Sequence, residues 1–347
     1  MKKYYFSLSV CFLLICCHSL QGWSQPAKGG RQQMAAIGDF RLHSGDTIFD
    51  CQIGYRTYGR LNAKKTNIIL FSTWFSGTTA DLEQYVVGKQ IDSIKYFVIL
   101  VDALGDGVSS SPSNSRRQPG LRFPVYSIKD MVESQFQLLT LIFHFSHVYA
   151  ISGISMGGMQ SFQWAVSHPE FADKIIPILG SPQLTANDLL LWTGELRAME
   201  ADTAYHMGDY TGEPTIASVS VLHRMALTTP EYIASTTTRD HFPTMFKEAT
   251  GPSGFDWNDW HRQLEAMISH DIAAGDHGSL EVVAKKIKAK MLIITSRQDH
   301  MVNPIPATRM AHLLGAQLLE LRGNCGHLAG GCESIKLIGG LKAFLGQ

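Results

Sequence analysis

One serine in this sequence stands where its hydroxyl could become a nucleophile: Gly153-Ile154-Ser155-Met156-Gly157, a G-x-S-x-G arrangement. A serine hydroxyl attacks a carbonyl carbon only when a base takes its proton and a carboxylate holds that base in the right tautomer. The apolar run 148–152 ends just before the motif, and a helix-like stretch, 156–167, starts just after Ser155. A serine so placed occupies a sharp, strained strand-to-helix turn, and flanking glycines let backbone pass close by. The same five residues could form a purely structural glycine-rich turn, but the strand before and the helix after favour a nucleophile.

With a nucleophile on such a turn, the acid and then the base follow it along the chain. Asp299 comes after the apolar run 291–295 and the short turn Ser296-Arg297-Gln298. His327 lies in Gly323-Asn324-Cys325-Gly326-His327, between the strand-like 317–321 and a final helix pattern, 334–345. There are fourteen histidines, so the choice needs a reason. In the last segment His300 adjoins Asp299 and His312 falls in a helix pattern, which leaves His327 as the one in a glycine-flanked loop beyond the last strand. Asp102 and Asp106 follow an earlier strand and are out of order for the acid.

The oxyanion formed on attack needs N–H donors aimed at it. One is expected from the Met156 amide and the second from the loop 73–77, with Phe75 the preferred donor; the rings of Trp74 and Phe75 read equally well as core packing. No metal is expected, because no His or Cys pair has ligand spacing beside a third ligand, and His327 serves better as a base than as a zinc ligand with Cys325 and Cys332. No cofactor is expected either.

The elements that must position these groups are legible as patterns. Runs 67–72, 96–101, 148–152, 174–179 and 291–295 are apolar without alternation, as parallel strands buried on both faces require. Two β-like runs, 40–42 and 48–58, flank the turn Ser44-Gly45-Asp46 and predict an antiparallel hairpin ahead of them. The helix 127–143 opens with Ser127 and Asp130 in capping-box spacing, and 156–167 stops at His168-Pro169. Strand and helix in alternation predict an α/β fold with a mostly parallel sheet and helices on both faces. Between 182 and 284 the alternation breaks. Helix formers with Trp192, Met199, Met207, Met225, Trp257, Trp260 and Met267 predict helices near 188–199, 215–227 and 260–273, read as a helical lid inserted between core segments 25–181 and 285–347. The lid's apolar side chains suit a substrate pocket, burial against the core, or a homodimer contact.

With 45% hydrophobic and 17% charged residues over 347 positions, the chain can bury a large core. Lys+Arg and Asp+Glu are equal at 30 each, so neither nucleic acid nor an acidic membrane surface is an expected partner. Lys2 and Lys3 precede an uncharged apolar stretch, 4–17, and Gly22 and Ser24 are the small residues of a cleavage site before Gln25. Residues 1–24 thus read as a secretory signal, implying export to the periplasm or beyond and no stable membrane insertion after cleavage. A lipoprotein acylated at Cys16 or Cys17 is the weaker reading, since neither follows a suitable small residue. Removal of the signal leaves Cys51, Cys325 and Cys332; a Cys325–Cys332 disulfide and three free thiols both remain open.

Taken together, Tyr55-Arg56-Thr57-Tyr58-Gly59-Arg60-Leu61-Asn62-Ala63, Tyr96-Phe97-Val98-Ile99, Phe123-Pro124-Val125-Tyr126-Ser127-Ile128-Lys129-Asp130-Met131-Val132 and Ser155-Met156-Gly157-Gly158-Met159-Gln160 resemble the homoserine O-acetyltransferase family of α/β-hydrolase enzymes. The resemblance implies the α/β-hydrolase fold, Ser155, Asp299 and His327 as triad, acyl transfer through Ser155, and a homodimer through the lid. Trp74 and Arg224, the latter in the best-matched part of the lid, are the candidates for substrate contact. Where the family's acetyltransferases carry His-Ala-Leu-Thr-Gly, this chain has Thr73-Trp74-Phe75-Ser76-Gly77, and Gly326-His327-Leu328-Ala329-Gly330 looks like the family's hydrolase-like branch. An exported protein would not meet cytosolic acetyl-CoA, whereas water is everywhere. The expected function is therefore hydrolysis of a small-molecule ester through an acyl-Ser155 intermediate. Acyl transfer to a hydroxyl such as that of homoserine is the alternative, and an inactive binding protein of the same fold is a third reading, disfavoured because no triad member is missing.

Overall fold

A computed structural model of the protein describes residues 30–346; the predicted signal, with Cys16 and Cys17, falls outside the described residues. The strands are β1 (Gln33–Arg41), β2 (Thr47–Tyr58), β3 (Ile68–Ser72), β4 (Phe97–Val101), β5 (Val148–Ile154), β6 (Ala172–Ile178), β7 (Lys290–Ser296) and β8 (Gln317–Leu321). They form one sheet in the order β1-β2-β4-β3-β5-β6-β7-β8. The hairpin β1-β2 and the β2-β4 pair are antiparallel, and every other pair is parallel. Parallel neighbours need crossovers, which the helices supply: α1 (Thr79–Val86), α2 (Ile128–Gln137) and α3 (Met156–Ser167) in the first half, with α4 (Ala186–Ala201), α5 (Ala217–Leu227), α6 (Pro230–Thr236), α7 (Phe242–Ala249), α8 (Trp257–Ile268) and α9 (Leu280–Ala284) between β6 and β7, and α10 (Ile305–Leu314), α11 (Ala329–Cys332) and α12 (Ser334–Leu345) after it.

The unbroken apolar runs follow from two-sided burial. All five residues of β3 are buried. Ile68 and Leu70 join the larger core with Met131 of α2 and Phe162 of α3. Ile69 and Phe71 face the opposite layer, with Leu82 of α1 and Leu337 and Leu341 of α12. The period-2 geometry of a strand thus turns one apolar run into the centre of two cores.

Local chemistry sets the helix ends. Ser127 Oγ accepts from the Asp130 N–H at 3.2 Å while Asp130 Oδ2 accepts from the Ser127 N–H at 2.9 Å, the expected capping box. The helix predicted over 127–143 is α-helical only to Gln137; it closes with a wider π-type turn over Leu138–Ile142 that keeps Leu138 and Leu139 fully buried. The helix predicted over 260–273 starts earlier, at Trp257, because Asp256 caps it by accepting from the Asn258 and Asp259 N–H groups. It ends at Ile268 because the next residues turn to the segment after β6: the Ile272 N–H donates to the Pro182 carbonyl at 3.0 Å, and His270 Nε2 bonds the Ser181 carbonyl at 2.9 Å.

The helices between β6 and β7 are of two kinds. α8 is fastened to loops of the sheet layer by buried polar bonds. Arg262 donates to the Phe123 and Leu121 carbonyls (3.0 and 2.7 Å), Gln263 Nε2 donates to the Leu104 carbonyl (3.2 Å), and the Ser113 N–H donates to Asp259 Oδ1 (2.9 Å). By contrast α6 and α7 contain no buried residue. Of the seven large apolar side chains singled out in this region, Trp192, Met199, Trp257, Trp260 and Met267 are buried, whereas Met207 and Met225 lie on the surface. No helix among the described residues is long and apolar enough to cross a membrane.

Burial pushes the Asp259 carboxyl up to about 7, against the bonds from Ser113 that favour its ionised form. Between the ordinary carboxylate value and about 7 the folded chain therefore holds a proton that the unfolded chain has released. Stability from this joint is present at acidic pH and declines as pH rises through that window. Asp259→Asn retains an acceptor oxygen for Ser113 but cannot ionise. Urea midpoints measured from pH 5 to pH 7.5 should fall less in this variant than in the wild type; equal slopes would show that Asp259 is not protonated in the fold.

Candidate active site

Ser155 has φ 59° and ψ −117°, a conformation that L residues rarely adopt. The neighbouring glycines explain why the turn holds. A Cβ on Gly153 would lie 2.4 Å from the Gly157 carbonyl oxygen, one on Gly157 2.5 Å from the Ser72 carbonyl oxygen, and one on Gly158 2.8 Å from the Ile178 carbonyl oxygen. Backbone thus packs on backbone from three sides. The Ser155 N–H donates to the Ile178 carbonyl at 2.8 Å, and its carbonyl accepts from Met159 at 3.0 Å, tying the turn to β6 behind it and to α3 ahead.

The structure brings Asp299 and His327 to this turn. His327 Nε2 lies 2.8 Å from Ser155 Oγ, and His327 Nδ1 lies 2.7 Å from Asp299 Oδ2. The other Asp299 oxygen accepts from the Met301 and Val302 N–H groups, both at 2.9 Å, so the carboxylate is locked in orientation and its side chain is 1% exposed. A carboxylate accepting at Nδ1 places the ring proton there and leaves the Nε2 lone pair facing the serine hydroxyl.

Several attachments hold the His327 loop, among them the Gly323 N–H, which donates to Glu333 Oε1 at 2.7 Å. Ser296 Oγ, at the end of β7, donates to the Gly326 carbonyl at 2.7 Å. Thr229 Oγ1, just past α5, donates to the Asn324 carbonyl at 2.5 Å. A disulfide joins Cys325 to Cys332, settling the pairing that spacing had left open and removing these two sulfurs as zinc ligands. Gly326 has φ +65°, and a Cβ there would meet the Leu227 carbonyl oxygen at 3.1 Å, so the loop runs against the end of α5 where only glycine is at ease.

The Met156 N–H opens α3, where an N–H lacks an intrahelical partner. Phe75 lies in the loop after β3, which crosses the start of α3: Gln160 Nε2 donates to the Thr73 carbonyl at 3.1 Å. Among the described residues neither the Met156 nor the Phe75 N–H donates to a recorded acceptor. The Phe75 ring is buried against Trp260 (centroids 4.8 Å apart) and His223 (5.5 Å), so an unpaired amide and a core ring coexist in one residue. The two substrate-contact candidates separate. Arg224 is exposed and lines a cavity of about 190 Å³ with Ser220, His223, Leu227 and Trp260. Trp74 packs edge-on to Tyr85 and folds its indole over Gly77. A larger groove of about 490 Å³, along the outer side of α10 at Ile305, Arg309 and Leu313, contains none of these residues.

Asp102 and Asp106 are built into loops. Asp102 accepts from the Thr79 N–H (2.6 Å) at the start of α1, and Asp106 accepts from the Val108 and Ser109 N–H groups (2.9 Å each). Burial lifts both carboxyls above their ordinary range. Among the described residues no group of three or more His, Cys, Asp or Glu side chains is arranged to hold a metal ion. Sequence reasoning missed His223, which shares the cavity with Arg224 and whose Nδ1 lies 3.2 Å from Oε2 of the fully buried Glu195. The one available signal was Glu195 on the Asp188-Trp192-Glu195-Met199 stripe of α4, an acid at core spacing.

Residues 68–330 match a family model described as alpha/beta hydrolase fold, and the chain belongs to that family. A probable esterase of Corynebacterium glutamicum is 28% identical over 325 residues, spanning 86% of this chain and 90% of the relative. A homoserine O-acetyltransferase of Nautilia profundicola is 31% identical over 305 residues, spanning 76% and 82%. Among solved structures, the acetyl esterase MekB superposes with a TM-score of 0.84 at 26% identity, covering 91% of this chain and 96% of that one. Within the alpha/beta hydrolases the chain is thus a member of the homoserine O-acetyltransferase-like family, and an enzyme.

The packing around the serine turn is tight enough to test. Gly157→Ala puts a Cβ against a backbone oxygen that cannot rotate away, so the β3 end and α3 must part. A loss of about 1–3 kcal/mol in unfolding free energy is expected, together with loss of labelling by a fluorophosphonate at Ser155. Wild-type stability and labelling in this variant would mean that the close approach of Ser72 and Gly157 is not required.

Proposed function

We propose that the protein is an exported serine esterase that cleaves small-molecule esters through an acyl-Ser155 intermediate. The observation that carries this reading is the unbroken line of hydrogen bonds from Asp299 through His327 to Ser155, at 2.7 and 2.8 Å. His327 Nε2 takes the Ser155 proton as Oγ attacks the ester carbonyl. The oxyanion is received by the Met156 and Phe75 N–H groups. On collapse the imidazolium gives that proton to the departing alcohol, and the acyl group stays on Oγ. Water then attacks the acyl carbon as it loses a proton to Nε2; on collapse the Oγ–acyl bond breaks, Nε2 returns that proton to Oγ, and the carboxylic acid leaves free Ser155. Asp299 keeps Nδ1 protonated and stabilises the imidazolium.

In this reading 25–181 and 285–347 form the catalytic core and 182–284 covers it, with Arg224 as a substrate contact; Trp74, packed on Tyr85, shapes the loop that presents Phe75. Similarity to a homoserine O-acetyltransferase supports acyl transfer to a hydroxyl acceptor as the second reading. The Thr73-Trp74-Phe75-Ser76-Gly77 loop and the signal-like residues 2–17 favour water as acceptor. The exposed Leu222, Met225, Phe242 and Phe246 on α5 and α7 support a homodimer formed through the covering helices.

Ser155→Ala should abolish ester turnover and leave the fold intact. Asp299→Asn should lower kcat by several orders of magnitude through the wrong imidazole tautomer; near wild-type activity would remove Asp299 from the mechanism. Turnover of p-nitrophenyl acetate without any acceptor is expected across an ester and thioester panel, and strict dependence on a CoA thioester plus homoserine would establish the transferase instead. The mature protein should start at Gln25 by mass spectrometry and sediment as a dimer that Phe242→Asp with Phe246→Asp dissociates; an intact N-terminus or a monomeric wild type would overturn export or dimerisation respectively.

A further inference from the structure

The cavity lined by Ser220, His223, Arg224, Leu227 and Trp260, with Glu248 and Ser253 from the end of α7 onward, borders the candidate active site through the contacts of its walls. Its Trp260 and His223 rings rest on Phe75, whose N–H is unpaired, while the carbonyl of its Leu227 lies against Gly326, the residue before His327. Its volume of about 190 Å³ gives room for a short alcohol. In the proposed chemistry the alcohol oxygen leaves with a proton from His327, so the alcohol moiety is the part of a substrate that would lie toward the wall where Leu227 meets Gly326.

The walls mix apolar Leu227, Pro252 and Trp260 with polar Ser220, Arg224, Glu248 and Ser253; of the polar groups, His223 is the one whose ring packs on Phe75. Glu195 is fully buried in α4, and its Oε2 pairs with His223 Nδ1 at 3.2 Å. Its other oxygen, Oε1, and the Trp260 indole N–H are buried without a partner among the described residues. Burying a carboxylate with so few partners is costly, and the one bond this carboxylate makes holds an imidazole. With Nδ1 donating to Glu195, the neutral ring offers Nε2 as an acceptor. Nε2 itself has no recorded partner among the described residues, and the ring is 19% exposed.

Resting on the esterase reading above, we propose that His223 is a specificity-determining residue: its Nε2 accepts a hydrogen bond from a hydroxyl on the alcohol moiety, so that the favoured substrates are short esters of alcohols carrying a second hydroxyl, such as glycol or glycerol monoesters. Glu195 is a positioning residue that fixes the tautomer and direction of the ring. A plain alkyl alcohol offers Nε2 no donor, and sites built to pair a hydroxyl discriminate against analogues that lack it.

The test compares kcat/KM for 2-hydroxyethyl acetate and propyl acetate, matched in size, each divided by its rate of alkaline hydrolysis. The wild type should prefer the hydroxy ester by about five- to tenfold, the span of one net hydrogen bond. His223→Phe keeps the ring packing on Phe75 and Trp260 and should bring the ratio to about one, whereas His223→Gln, which retains an acceptor, should keep part of it. Glu195→Gln still offers an oxygen to Nδ1 and should preserve the ratio; Glu195→Leu should lose it. Lost packing alone would slow both esters alike and leave the ratio standing. Wild-type turnover of both esters with no preference, or a preference that survives His223→Phe, overturns the role of His223 and leaves the esterase reading intact. A wild type that turns over neither ester nor p-nitrophenyl acetate overturns both.

Discussion

A serine forced into positive φ is the constraint on which the rest of this molecule turns. Such a conformation costs of order 1–3 kcal/mol and persists only where surroundings over-determine it. Here the surroundings are backbone rather than side chain: the end of β3 against Gly157, the end of β6 against Gly158, and Gly157 against Gly153. The sheet order follows from the same need, because β3, β5 and β6 must lie side by side for their ends to converge on one turn. The placement of Ser155 is thus secured by the two-sided core beneath it, and the free amides of Met156 and Phe75 come from the same convergence.

Much of this was readable in the residues, and for identifiable reasons. The strands announced themselves because burial on both faces removes polar residues altogether; β8 and the helices α3 and α12 fall on the predicted residues. The convergence of Ser155, Asp299 and His327 was expected from order along the chain and loop context, which report on the sheet and need no knowledge of side-chain contact. Less was legible where burial is partial. α6 and α7 have no buried residues and so no periodic signal, and β1 carries two bulges that break its alternation. The His223–Glu195 pair joins α5 to α4 across 28 positions. Such a contact exists only after the helices pack, and local spacing does not encode it.

The insertion between β6 and β7 behaves unlike a single cover. α8 is bonded into the loops after β4 and before α2 through Asp259, Arg262 and Gln263, and its aromatic residues complete the packing around Phe75. It belongs mechanically to the sheet layer although it arrives late in the chain. The outer helices α6 and α7 have no buried residue, so displacement there breaks few buried contacts, whereas α5 buries Val219 and Ala226 and is tied to α4 through His223 and Glu195.

That asymmetry bears on how a molecule would get in. The segment Leu227 to Thr229 ends α5 and also supports Asn324 and Gly326, the residues that aim the imidazole. If α5 swung outward to admit a guest, it would withdraw the prop from the very loop that carries His327. Admission and alignment would then be two readings of one hinge: a gate ajar would leave the imidazole slack, and a gate shut would bring it back into line with the serine.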